Sequence, residues 1–289
     1  MGPYRCVPEG QSRLAVKQTV AFGPDGGVGR LRDQLIDPSH EPRPLVLGPE
    51  KLVVIWSAKS ASTTVLLWYF WHCGLLEAAR LFGHWPHLFR NRVLYAADYY
   101  RAWVGEVDIT WRWLRVVRDP CKRAVSSYRH ALQHGYEDGK MTRVMRRRVA
   151  ASEGFSFEFF LDYLSRIDIA ACNLHHRQQV HPIEKLVTPS EVINVDKSDL
   201  MEQLRAIDAT LGKPEESVEV LHEAIAGISD IHHARHILDD TDHAGTQFRA
   251  AQAQTSESWP GYGCFLGKST CAKIARIYAA DFACYADYL

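Results

Sequence analysis

Two rhythms of apolar and polar positions alternate along the chain. Leu52, Val53, Val54 and Ile55 form an unbroken apolar run, and Leu114-Arg115-Val116-Val117 is nearly one, the pattern of strands covered on both faces. Residues 191–195 predict another strand and residues 92–99 a further short one. Residues 62–76, 121–133, 155–164, 200–211 and 270–285 predict helices. The first of these is apolar almost all round, with Trp68, Tyr69, Phe70 and Trp71 in succession, so it should pack deep in the molecule. Residues 200–211 are amphipathic and end at Gly212 and Pro214. Strands separated by helices predict an α/β layered fold with a central parallel β-sheet flanked by helices, and such sheets bind ligands at the carboxyl ends of their strands.

Composition narrows the picture. Residues 1–50 mix glycine, proline and charge without a sustained period, so they read as an irregular N-terminal arm, with residues 51–289 as one domain. A chain of 289 residues, 46% of them hydrophobic, can bury a large core. Its 34 basic and 34 acidic residues cancel, so no global field draws it to nucleic acid or an acidic membrane, and any anion site must be local. Seven scattered cysteines without a C-x-x-C pair argue against a disulfide framework or a zinc site and lead one to expect free thiols. The first fifty residues hold no apolar run of leader length, and the most apolar later stretch is interrupted by Lys59 and His72. A cytoplasmic protein without a membrane span is expected.

Two polar segments lie where strands should end. Trp56-Ser57-Ala58-Lys59-Ser60-Ala61-Ser62-Thr63-Thr64 follows the first strand and runs into the apolar helix, a layout suited to an anion because the first amides of a helix lack intrahelical partners and its dipole favours negative charge. It is not a Walker loop: the glycines are missing and the lysine precedes a run of hydroxyls. The second segment, Arg118-Asp119-Pro120-Cys121-Lys122-Arg123-Ala124-Val125-Ser126-Ser127-Tyr128, closes the Leu114–Val117 run. Aspartate can cap and proline can open the helix that follows. Arg118 and Ser126, about two helical turns apart, can converge on one phosphate through a guanidinium fork and a hydroxyl.

The first segment resembles the 5'-phosphosulfate loop of sulfotransferases that use 3'-phosphoadenosine 5'-phosphosulfate (PAPS), with Ala58 where the family usually has proline. The second is similar to that family's 3'-phosphate motif, R-D-P-x-x-R-x-x-S-x-Y, at six positions. A weaker likeness to carbohydrate sulfotransferases runs through Asn173-Leu174-His175-His176-Arg177-Gln178-Gln179 to Ile277-Tyr278-Ala279-Ala280-Asp281-Phe282, so it covers about residues 51–289.

The resemblance implies a three-layer, P-loop-like fold and in-line transfer of a sulfuryl group from PAPS to a hydroxyl acceptor, a carbohydrate by analogy, with no metal. Lys59, Ser60, Ala61, Ser62, Thr63, Thr64, Arg118 and Ser126 would hold the cofactor, with Lys59 also stabilising charge on the leaving oxygens. Relatives take the acceptor proton with a histidine or acidic residue between the two loops, where His72, His84, His87, Glu77, Glu106 and Asp108 are all available. His84 is favoured, then His87, because both sit in the polar connection Gly83-His84-Trp85-Pro86-His87 and imidazole suits proton transfer near neutral pH. His175 and Arg177, with Gln179, would touch acceptor or cofactor, or tie a loop. Arg143 and Arg146 to Arg148 read as a solvated helix face, and His232, His233 and His236 as a metal tract in appearance only. Two other readings stay open: a nucleotide-binding protein on the same scaffold without transfer activity, and a P-loop phosphotransferase.

Overall fold

A computed structural model describes residues 26–82, 85–197, 199–213, 221, 225, 241–254 and 259–289. The chain is α/β, built on an open four-stranded sheet in the order β1 (Leu45–Leu47), β2 (Leu52–Ile55), β3 (Arg112–Val117), β4 (Glu191–Asn194). β2, β3 and β4 are parallel, and β1 runs antiparallel to β2. The sheet is therefore mixed rather than wholly parallel. The added edge strand comes from residues expected to be irregular, as does helix α1 (Gly26–Ile36). Leu45, Val46 and Leu47 are as completely buried as β2 itself. Three residues are too short a run to announce a strand, and only pairing with β2 makes them one.

Helix α2 (Ser62–His72) follows β2. Its residues Val65 to Phe70 are all buried, so packing holds it: each such side chain contributes about 2 kcal/mol. The strand expected over residues 92–99 is absent. That stretch falls on the end of α4 (Pro86–Arg92), a 3₁₀ turn (Leu94–Ala96) and the start of α5 (Asp98–Glu106), with α3 (Leu76–Leu81) preceding them. Pro86 opens α4, and the buried pair Tyr100 and Val104 keeps the four-residue spacing of a helix, not the alternation of a strand.

After β3 comes α6 (Pro120–His134), started by Pro120 and stopped by Gly135 at φ 63°, a left-handed position that glycine occupies without strain. Helices α7 (Asp138–Met145) and α8 (Phe157–Leu164) follow, then α9 (Leu200–Thr210), α10 (Ala250–Gln254), α11 (Lys268–Ile277) and α12 (Ala279–Tyr285). The single helix expected over 270–285 is thus two, parted at Tyr278.

Two hydrophobic clusters result: one beneath the sheet and α2, the other where α6 and α8 meet the C-terminal elements. Tyr128 centres the second, its ring among Phe155, Phe157, Phe160, Trp259 and Phe265 and its hydroxyl donating to Phe155 O at 2.7 Å. The tyrosine of the second motif is a packing residue. Cys73, Cys121, Cys172 and Cys284 are free, whereas Cys271 is disulfide-bonded, against the expectation of thiols throughout. No helix among the described residues is long and apolar enough to cross a membrane.

Candidate functional site

Because β2 and β3 are parallel neighbours, with Ile55 opposite Arg115, the segments that leave their carboxyl ends emerge side by side. The first, at Lys59 and Ala61, takes φ values of 67° and 52° without glycine. Positive φ at such residues is costly and persists only where the surroundings hold it. What holds it is Gln179, 2% exposed: its Oε1 accepts from Ser60 Oγ at 3.0 Å and from Arg118 N at 2.9 Å, while Nε2 donates to Arg118 O at 2.9 Å. One buried amide thus ties both loops. Its own N–H is fixed by Asp281 Oδ1 at 2.7 Å.

Ala61 stands at the N-cap of α2 and no side chain caps the helix. The amides of its first turn are left for another acceptor. Ser60 is fully buried and its hydroxyl is spent on Gln179, so it cannot reach a ligand as the family pattern leads one to expect. Ser62, Thr63 and Thr64 remain half-buried at the loop.

The second loop is closed by carboxylates. Asp119 Oδ1 accepts from Cys121 N and Lys122 N at 2.8 and 3.0 Å, and Asp196 Oδ2 accepts from Asp119 N at 2.9 Å. Arg118 donates through Nη1 to Lys59 O at 3.0 Å and through Nη2 to the Tyr262 hydroxyl at 3.1 Å, with Nε 3.5 Å from Asp196. The two predicted anion loops are therefore in direct contact. Ser126 is half-buried on α6, and its hydroxyl makes no hydrogen bond among the described residues. Arg129, three positions on and hence on the same face, donates to Ala253 O at 3.1 Å and lies over Trp259.

Lys59 sits among cations. Removal from water first, then Arg118, Arg129 and Arg123, push its ammonium from 10.5 down to about 7. No carboxylate pairs with it among the described residues. Four positive groups gather here and only Arg118 has a carboxylate, Asp196, beside it among the described residues, so the cluster suits a further anion.

Histidines form a wall beside it. His130 and His175 stack at 4.1 Å, and His130 Nδ1 meets the Tyr136 hydroxyl at 3.0 Å. Burial, then Lys59 and neighbouring histidines, lower His175 to about 3, and His130 is lowered by the same causes. Both rings are neutral at physiological pH. Asn173 Oδ1 accepts from the His175 backbone and ring Nδ1 at 3.0 and 2.9 Å, which leaves Nε2 as the side with the lone pair.

His87 does not lie in a loop but on the first turn of α4, with Nε2 3.4 Å from Thr63 Oγ1 and its ring stacked on Trp56. His84, like His232, His233 and His236, lies outside the described residues. His72 points elsewhere, with Nε2 2.8 Å from Asp208 beneath α2. Arg177 makes four hydrogen bonds to the carbonyls of Cys172, Ser39 and Glu41, which ties two chain segments together.

Arg129, His130, Asp196 and Tyr262 join the site without having been picked out for it, and Arg123, a position of the second motif, joins it without having been given a role. Arg129 could have been found from its spacing to Ser126; Asp196 and Tyr262 carry no local signal. Among the described residues no group of three or more His, Cys, Asp or Glu is placed to hold a metal ion. Compared with family models, curated proteins and solved structures, the chain matches none.

Proposed function

We propose that the chain is a sulfotransferase that moves a sulfuryl group from PAPS to a hydroxyl acceptor, with a carbohydrate as the acceptor class that the family likeness favours. The observation that carries the reading is the bond from Arg118 Nη1 to Lys59 O, which joins two anion loops of the expected order around an ammonium that has no carboxylate partner among the described residues. In this reading the open amides of α2, with Ser62, Thr63 and Thr64, grip the 5'-phosphate end, while Arg118, Ser126 and Arg129 face the 3'-phosphate. The fold is then the three-layer, P-loop-like arrangement of that family.

Lys59 neutralises charge gathering on the leaving oxygens, the largest demand of such a transfer. The arriving phosphates restore its full protonation, because an anion at close range favours the charged form. His87, beside Thr63, takes the acceptor's proton. No step calls for a metal.

Titration calorimetry with adenosine 3',5'-bisphosphate tests the reading. Micromolar binding to the wild type, lost in Lys59→Ala and Arg118→Ala, is the expected result; unchanged binding in both variants would end it. Radiolabelled sulfate transfer across a panel of hydroxylated acceptors then separates transfer from binding alone.

A further inference from the structure

The strained first loop is gripped from behind at four successive residues. Arg115 Nη2 donates to Ser57 Oγ at 2.9 Å, Arg123 Nε to Ala58 O at 3.0 Å and Arg118 Nη1 to Lys59 O at 3.0 Å, while the Ser60 hydroxyl meets Gln179. Three of these grips are guanidiniums, and two of them, Arg118 and Arg123, belong to the cations that crowd Lys59. Buried cations need a counter-charge. Arg118 has Asp196 at 3.5 Å, and Arg115 has Glu184 at 3.4 Å. Arg123 is 1% exposed and has no carboxylate within 4.0 Å among the described residues; the acid whose field reaches it is Asp281.

Asp281 is fully buried on α12. Its Oδ1 accepts from Gln179 N at 2.7 Å and from Val180 N at 3.0 Å, and these amides, with Arg123 and Arg115, favour the ionised form against the burial that raises the carboxyl. Tyr278 and Cys284, which also feel its charge, are held neutral by burial. On the other side of Gln179, Arg115 Nη2 donates to the backbone carbonyl. The peptide groups of Gln179 are therefore clamped between Asp281 and Arg115, and its side chain carries that position to Ser60 and to the backbone of Arg118. Two routes lead from Asp281 to the first loop: one by hydrogen bonds through Gln179, the other by charge through Arg123 to Ala58 O.

We propose that Asp281 is the positioning residue of the first loop, fixing Gln179 and serving as the counter-charge that lets Arg123 hold Ala58 O beside a second cation, Lys59. A neutral acceptor of the same shape could do the first but not the second. The inference deepens the site proposed above and rests on Lys59 as its working cation, though not on PAPS as its ligand.

Asp281→Asn tests it, because the amide keeps the shape and an acceptor oxygen and removes the charge. ¹³Cε-lysine NMR reads Lys59 directly, with Lys59→Ala to assign the signal. The Lys59 midpoint should fall from about 7 to about 6.5 or lower, since the cations around it lose a balancing negative charge. An acid that only supports packing would lower the melting temperature of the variant and leave that midpoint in place, which would overturn the proposal. If the variant does not fold, the wild type still decides: the Asp281 ¹³Cγ signal should be that of a carboxylate at pH 7, and its protonation on acidification should free the Gln179 and Val180 amides to exchange. A carboxyl already neutral at pH 7, or amides that stay protected through its titration, would end the inference. Adenosine 3',5'-bisphosphate that binds neither the wild type nor the variant would count against the function proposed above and leave the Lys59 result standing.

Discussion

The two loops at the head of the sheet solve the problem of leaving a strand in opposite ways. The first turns through left-handed φ values at Lys59 and Ala61, starts its helix without a side-chain cap and leaves its ammonium without a carboxylate among the described residues. The second is sealed from within: Asp119 caps α6, Asp196 holds Asp119, and Arg118 is committed to Lys59 O, Tyr262 and Asp196. One loop keeps its hydrogen-bonding capacity for something that arrives, while the other is satisfied by the protein and serves as the wall it arrives against. Strain and open amides mark the receiving loop; capping marks the supporting one.

That contrast can be broken most severely at its charged centre. Lys59→Ala should lower transfer by about 100-fold or more, the usual cost of removing a group that stabilises developing charge, and leave the melting temperature unchanged or raised because a crowded cation is gone. Arg118→Ala should cost activity and stability together, since its contacts belong to the fold as well. If Lys59→Ala melts several degrees lower than the wild type, the two loops are not different in kind.

Removing the tie between them comes next. Gln179→Leu keeps the volume but strands Ser60 Oγ and the backbone N–H and C=O of Arg118, so denaturant unfolding should show a loss of about 2–4 kcal/mol, with nucleotide affinity falling in parallel. A loss confined to stability would mean that the loops hold their positions without it.

A smaller effect sharpens the comparison through pH. Lys59 in the free protein titrates near 7, and a bound phosphate raises that value; binding should therefore take up a proton above pH 7 and none well below it. Calorimetry in buffers of different ionisation enthalpy reads the proton directly, and the uptake should vanish in Lys59→Ala. The mildest test lies in the second loop: Asp119→Ala should cost about 1 kcal/mol of stability through the lost cap and change nucleotide affinity little.

Much of this was legible in the chain. β2 appears at the expected residues, β3 and β4 within two residues, and the Asp-Pro pair starts α6 where aspartate and proline should. The features that escaped reading share a cause. β1 is three residues long, residues 92–99 carry apolar groups whose spacing only the helical packing disambiguates, and Ser60 looked like any other loop hydroxyl until Gln179, 119 positions away, claimed it. Arg177 looked equally free to meet a ligand, yet its bonds reach back to Ser39 and Glu41.

The sequence by itself determined the buried strands, the helix starts and the two cationic segments, because apolar runs, caps and charge are local properties that each residue carries wherever it goes. Only the tertiary structure decided which of those polar groups stay open. Lys59 crowds against Arg118, Arg123 and Arg129, Gln179 spans the loops, and Arg123 is buried where it holds Ala58 O, because parallel pairing of β2 with β3 brings together residues some sixty positions apart. Electrostatic character depends on neighbours in space, and neighbours in space are what the fold supplies.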